Sequence, residues 1–193
     1  MFPRPDFFTG STLNFAENLL YPSAAPDPST PAIISVTETS TKEITWASLR
    51  SQVRAMALAM AAHNLQPFDR VAGFLGNHSD TVVAMLAATS LGAIWTGISA
   101  DTGVALVVEK LSQIKPVLLF ADNAVTSHGK VHESATKTRE IVKLLPTLRT
   151  VVVFQTVESL PVETESLAVN GQALSYSEFL SAYVTLHPFH NTS

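Results

Sequence analysis

Three short polar turns carry most of the residues that could do chemistry in this chain. They are Gly76-Asn77-His78-Ser79-Asp80, Ser99-Ala100-Asp101-Thr102-Gly103, and the longer run from Ala121 to Lys130. Each follows an apolar run, and the first two open a helical pattern. Exposed backbone N–H groups and the helix dipole can hold an anion at such a turn. A plain strand-to-helix turn capped by Ser79 or Asp80 explains the first equally well. Asp101 read as an N-cap, which contributes about 1 kcal/mol to a helix, explains the second. In the third, His128 and Lys130 flank Gly129 and suit a phosphate, although a solvated loop accounts for them as simply. Arg50 and Arg54, four apart on one helix face, read as a solvated stripe.

Several other chemistries find no residues to support them. The histidines at 63, 78, 128, 132, 187 and 190 form no H-E-x-x-H, and no cysteine is present to join them, so no metal site is expected. There is no G-x-S-x-G nucleophile turn and no G-x-x-x-x-G-K-[ST] phosphate loop, and Gly73 and Gly76 do not make a dinucleotide fingerprint. No catalytic residue is assigned from the residues alone. A net charge of −4 without a basic run gives no footprint for nucleic acid. No apolar run approaches the roughly 20 residues of a membrane span. The start, Met1 to Phe8, lacks the apolar core of a signal peptide. A cytoplasmic setting is expected.

The elements that must position these turns alternate. Leu13–Leu20 reads as a short helix, with Asn14 as cap and Glu17 reaching back in a capping box. A proline-rich loop follows to Pro31, then a strand over 32–38, a turn at 39–42 and a short return strand. Thr45 caps a helix whose apolar face is Trp46, Leu49, Val53, Met56 and Met60, ending near His63-Asn64. Four runs, 71–75, 94–98, 117–121 and 150–154, are apolar on both faces and read as buried parallel strands. Between them lie a nearly all-apolar helix over 81–92, a helix with Val104, Val107, Val108, Leu111 and Ile114 inward, and a polar excursion leading into a third helix. A last short helix is expected at 176–184, with Ser175 or Ser177 near its cap. Strand–helix alternation predicts an α/β fold, a mostly parallel sheet with helices on both faces. Ligands of such sheets bind beyond the carboxyl ends of the strands, where the three turns lie.

Taken together, "LNFAENLL", "KEITWASLRSQV", "DRVAGFLGNHSDTVVAMLAATSLGAIWTGISADTG", "EKLSQIKPVLLFA", "HGKVHE" and "LPTLRTVVVF" resemble the acetoacetyl-CoA synthetases, a branch of the adenylate-forming acyl-CoA synthetases. The resemblance runs from about Phe7 to Phe154, thins to about Val184 and fails over Thr185–Ser193. It implies an N-terminal strap and loop over 1–30, and part of a large adenylate-forming domain over 31–193. In the whole enzyme it implies a ligase that joins acetoacetate to CoA at the expense of ATP with Mg. The family's phosphate loop, adenine motif and catalytic lysine match no residue of 1–193. By itself the chain is therefore expected to be inactive and to bind no cofactor tightly. The resemblance places CoA along Ser99, Ala100 and Asp101, with its 3′-phosphate near 126–130. The family's two arginines are replaced there by Thr126 and Gly129, which leaves His128 and Lys130. The alternatives are a non-catalytic CoA- or nucleotide-binding module, or a structural remnant. Apolar surface left uncovered would favour self-association.

Overall fold

The structure, a computed structural model, describes residues 8–37 and 41–186, with side chains to residue 182. The start Met1–Phe7, the tip of the turn expected at 39–42, and the histidines at 187 and 190 lie outside the described residues. In chain order the strands are β1 Pro31–Val36, β2 Thr41–Thr45, β3 Arg70–Leu75, β4 Ile94–Ser99, β5 Leu118–Asp122, β6 Ala124–Ser127, β7 Lys130–Glu133, β8 Thr150–Phe154 and β9 Gln172–Ser175. The helices are α1 Phe15–Leu20, α2 Trp46–Ala62, α3 Ser79–Ser90, α4 Val104–Ile114, α5 Ala135–Lys143 and α6 Tyr176–Leu186.

Five strands form one parallel sheet in the order β4-β3-β5-β8-β9. The chain steps outward from β3 to β4, then returns past β3 to β5. Crossovers keep one hand, so reversing direction moves the connecting helix to the opposite face. The two cores show this. Val71, Leu75, Phe120, Val152 and Phe154 pack with α2, α3 and Phe179 of α6 on one face. Ala72, Phe74, Leu119, Val151 and Val153 pack with Val107 and Leu111 of α4 and Ile141 and Val142 of α5 on the other. Successive strand residues thus point to opposite faces, the alternation a pleated strand requires.

Three expectations need correction. The run 94–98 is not an interior strand: β4 is the sheet edge, and Ile94 is 50% exposed. The first strand lies outside the parallel sheet, pairing antiparallel with β2 in a separate two-stranded sheet. The fifth parallel strand is instead β9. The polar excursion contains a hairpin, β6–β7, turning at His128-Gly129, both at positive φ. As expected, both faces of the parallel sheet are covered by helices. Strongly exposed apolar side chains include Leu13, Phe15 and Tyr21 in the N-terminal segment, Ile34 and Val36 on β1, and Phe68 and Leu144 elsewhere.

The N-terminal segment is held by specific bonds. Asn14 Oδ1 accepts the Glu17 N–H at 3.0 Å, while Asn14 Nδ2 donates to the carbonyls of Thr89 and Ser90 at the end of α3. One side chain therefore caps the start of α1 and the end of α3. Arg50 Nε donates to the Leu20 carbonyl at 2.9 Å, and its guanidinium lies 5.1 Å from the Tyr21 ring centroid and 5.5 Å from that of Trp46. Arg50 is thus a clamp on this segment rather than part of a solvated stripe.

Candidate functional site

A cleft of about 670 Å³ opens at the carboxyl ends of β3, β5, β8 and β9. It spans the point where the strand order reverses, between β3 and β5, which is where open α/β sheets bind ligands. Its walls are the 76–80 turn, the start of β6, the loop after β8, and the start of α6, with Ser35, Thr37 and Lys42 reaching in from the β1–β2 hairpin.

The floor is organised by two adjacent residues at the end of β5, Asp122 and Asn123, 2% and 5% exposed. Asp122 Oδ2 accepts the Gly76 N–H at 2.6 Å, and its Oδ1 lies 3.0 Å from His78 Nε2. The carboxylate accepts, so His78 Nε2 carries the proton. The sequence left this turn open to an anion or to a plain strand-to-helix turn. The anion it holds is the protein's own Asp122. Thr81 Oγ1 donates to the Gly76 carbonyl at 2.9 Å, completing the tie. The other ring nitrogen, His78 Nδ1, is shut off from solvent without a hydrogen-bond partner and faces Asp80 Oδ2 at 3.7 Å.

Asn123 does for the opposite wall what Asp122 does for the turn. Its Nδ2 donates to the carbonyls of Val157 and Leu160, and its Oδ1 accepts from the N–H groups of Thr156 and Val157. This amide ties the loop after β8 to the sheet, together with Thr156 Oγ1, which donates to the Ala124 carbonyl, and Gln155 Nε2, which donates to the carbonyls of Glu158 and Leu160. Phe154 forms the apolar base. It meets His78 edge-on at 5.7 Å, and Tyr176 tilts against it at 4.9 Å. Burial, reinforced by the charge of Asp80, pushes the Tyr176 hydroxyl up to about 12, so it stays a proton donor across the physiological range. Ser175 and Glu178 form a reciprocal capping box at the start of α6.

The caps expected elsewhere are different. His78, not Ser79 or Asp80, holds the N-cap position of α3, and Gly103, not Asp101, holds that of α4, neither with a side-chain cap bond. Asp101 is an exposed turn residue. None of Ser99, Ala100, Asp101, His128 and Lys130 lines the cleft. Ser99 and Ala100 close the end of β4, where the Ala100 N–H donates to the Leu75 carbonyl. His128 and Lys130 stand at the tip of the β6–β7 hairpin, whose Thr126 does line the cleft. Asp122 and Asn123 fell inside the flagged 121–130 run, but their partners lie more than thirty residues away, and no spacing rule links them. Among the described residues no cluster of three His, Asp or Glu could hold a metal ion, and no helix is long and apolar enough to cross a membrane.

Residues 20–182 match the protein family described as AMP-binding enzyme. The chain belongs to that family. Among relatives of the AMP-binding enzyme, it is 50% identical to the malonamoyl-CoA synthetase vrtB of Penicillium aethiopicum over 94% of this chain and 26% of that protein. It is 41% identical to an acetoacetyl-CoA synthetase of Danio rerio over 80% of this chain and 23% of that protein. The fold matches an acetoacetyl-CoA synthetase from Streptomyces lividans with a TM-score of 0.79 and 32% identity, over 91% of this chain and 26% of that one. The chain spans about a quarter of the length of these AMP-binding relatives.

Proposed function

We propose that this chain is part of an adenylate-forming acid–CoA ligase that acts on a short β-carbonyl acid. Acetoacetate, or its amide counterpart malonamate, would be joined to AMP from ATP and then to the thiol of CoA. The carrying observation is the similarity to ligases named for these two acyl groups, across nearly the whole of this chain. Both acids place a carbonyl two carbons from the carboxylate and differ only in a terminal methyl or amino group. Telling them apart takes a hydrogen-bonding contact rather than a change of pocket size.

Within this reading, residues 1–30 are the strap and 31–193 part of the large domain. CoA runs along Ser99, Ala100 and Asp101, and His128 and Lys130 meet its 3′-phosphate. Lys130 is exposed at a hairpin tip, so its ammonium can reach a phosphate as a point charge. One such contact is worth about 1 kcal/mol, too little to hold CoA by itself. No ATP or Mg contact is assigned, because no residue of 1–193 matches the family's phosphate loop or catalytic lysine. Self-association through the exposed apolar side chains of the strap belongs to the same proposal. The cleft of about 670 Å³ supports a second reading: a CoA- or nucleotide-binding module without catalysis.

A chimera separates the two readings. The chain replaces the matching quarter of the Streptomyces lividans enzyme, and pyrophosphate release is measured with acetoacetate and with malonamate. The ligase reading expects acid-dependent release from the chimera and none from the chain alone. It also expects Lys130→Ala to raise the KM for CoA and leave adenylation unchanged. A folded chimera that releases no pyrophosphate with either acid overturns the ligase reading and leaves the binding module.

A further inference from the structure

His63 ends α2 and reaches both elements that follow β8. Its ring stacks on Phe179 of α6, with centroids 4.5 Å apart and planes 12° from parallel. Its Nδ1 lies 2.9 Å from the Gln172 amide nitrogen on the first residue of β9, and the same amide donates to Thr150 Oγ1 at 3.2 Å. Its Nε2 is shut off from solvent without a hydrogen-bond partner. This setting suits a ring with one proton. A second would turn Nδ1 from acceptor to donor opposite the Gln172 amide N–H₂, and would confine a charge with only the Phe179 backbone to favour it.

The groups around the ring give that charge no counterion. Met60, Leu65, Val117, Leu118, Arg149 and Thr150 line a small void beside it. Arg149, just before β8, is the charged group among them, and it is already paired with Asp69 at 2.8 Å. The α6 and β9 contacts, Phe179 and Gln172, are neutral.

We propose that His63 is a proton-operated latch, holding β9 and α6 on the sheet when neutral and loosening them when protonated. The same two elements supply Ser175, Tyr176 and Ser177 to the cleft wall at the opposite end of the sheet. A proton taken up at the amino end therefore loosens the cleft. Burial pulls the His63 pKa below the ordinary imidazole value, with the Phe179 backbone pulling more weakly the other way. The face of Phe179 attracts a cation, but burial is the larger influence. The sign follows: the unfolded chain takes the proton first, so the latch is fully closed above about pH 6.5 and is lost as the pH falls toward the folded value.

The test is amide hydrogen exchange of the full chain, corrected for intrinsic rates, at about pH 7.5 and about pH 5.5, on either side of the ordinary imidazole pKa. Peptides from Gln172–Leu186 should lose protection on acidification at least about threefold more than those covering β5, since local opening is reported segment by segment. His63→Phe keeps a ring on Phe179 without a titrating nitrogen and should remove that difference. His63→Gln, polar and non-titrating, carries the same expectation should the Phe variant fold poorly. Equal acid loss in wild type and both variants, or loss spread evenly into β5, overturns the latch.

Discussion

At the amino ends of the five parallel strands the helices α2, α3 and α4 finish, each with carbonyls that lack partners inside the helix. Side-chain donors meet them there. Arg70 donates to Ile114 and Lys115 at the end of α4, and Asn14 donates to Thr89 and Ser90 at the end of α3. The void beside His63 is only about 10 Å³. At the carboxyl ends, α3, α4 and α5 begin at His78, Gly103 and Ser134 with no side-chain cap bond. The cleft there is about 670 Å³, and its buried polar anchors, Asp122 and Asn123, tie loops rather than fill space. One end is satisfied by its own residues and packed shut. The other leaves the starts of α3, α4 and α5 without a side-chain cap, although Ser175 and Glu178 cap α6, and it keeps space open for a ligand.

The first way to break this contrast is to remove volume at each end. Met60 is fully buried beside His63, so Met60→Ala should cost about 3 kcal/mol, a large share of the 5–15 kcal/mol typical of a domain. Val125 is half-buried and already borders the cleft, so Val125→Ala should cost about 1 kcal/mol or less. Urea denaturation with an unchanged slope reads both. Similar losses at the two sites would show that the cleft end is packed as tightly as the other.

The second asks whether the open end is held by polar ties. Asp122→Ala leaves the Gly76 N–H and the His78 ring without their acceptor, which should cost about 2 kcal/mol. Asp122→Asn should recover part of this, because its carbonyl can still accept one of the two bonds. Faster exchange confined to residues 76–81 is the accompanying local signature. A variant as stable as wild type would mean that the carboxylate does not organise the turn.

The uneven legibility of the two ends has physical causes. Strands β3, β5 and β8 could be read because a strand covered on both faces must be apolar throughout. The same rule misplaced β4, since Ile94-Trp95-Thr96-Gly97-Ile98 is as apolar as its neighbours. Apolar faces report layers of helices and say nothing about which strand lies at the edge. Gln172-Ala173-Leu174-Ser175 lacks β-branched residues and is a strand only through its pairing with β8. The hairpin was hidden because His128-Gly129 is not the usual Asn-Gly or Asp-Gly turn. The caps at Thr45 and Asn14 were legible because they act three residues along the chain. The ties from Asp122 to Gly76 and His78, and from Asn123 to Val157, join segments that only the folded sheet brings together.

The last prediction uses pH to sharpen the contrast between the ends. His63 at the closed end sets a limit on the acid side. Tyr176 at the cleft sets one on the alkaline side, because its hydroxyl is pushed up to about 12 by burial and by Asp80. An unfolded tyrosine ionises near 10, so above that value the unfolded chain releases a proton that the folded chain retains. The stability contributed by Tyr176 is therefore complete below about pH 10 and is lost as the pH rises from about 10 to about 12. The ring is only half-buried, so solvent screening brings the loss down to about 1 kcal/mol from the larger figure a two-unit shift would give. Tyr176→Phe keeps the contact with Phe154 and removes the titrating group. Denaturation midpoints measured from about pH 9 to about pH 11 should fall more steeply in wild type than in this variant, since the unfolded tyrosine titrates within that window. Superimposable alkaline profiles would place the hydroxyl in water and leave the cleft wall wetter than the packing of Tyr176 on Phe154 implies. A steeper fall in wild type, together with an acid limit that vanishes in His63→Phe, would show that each end of the sheet carries its own titrating group.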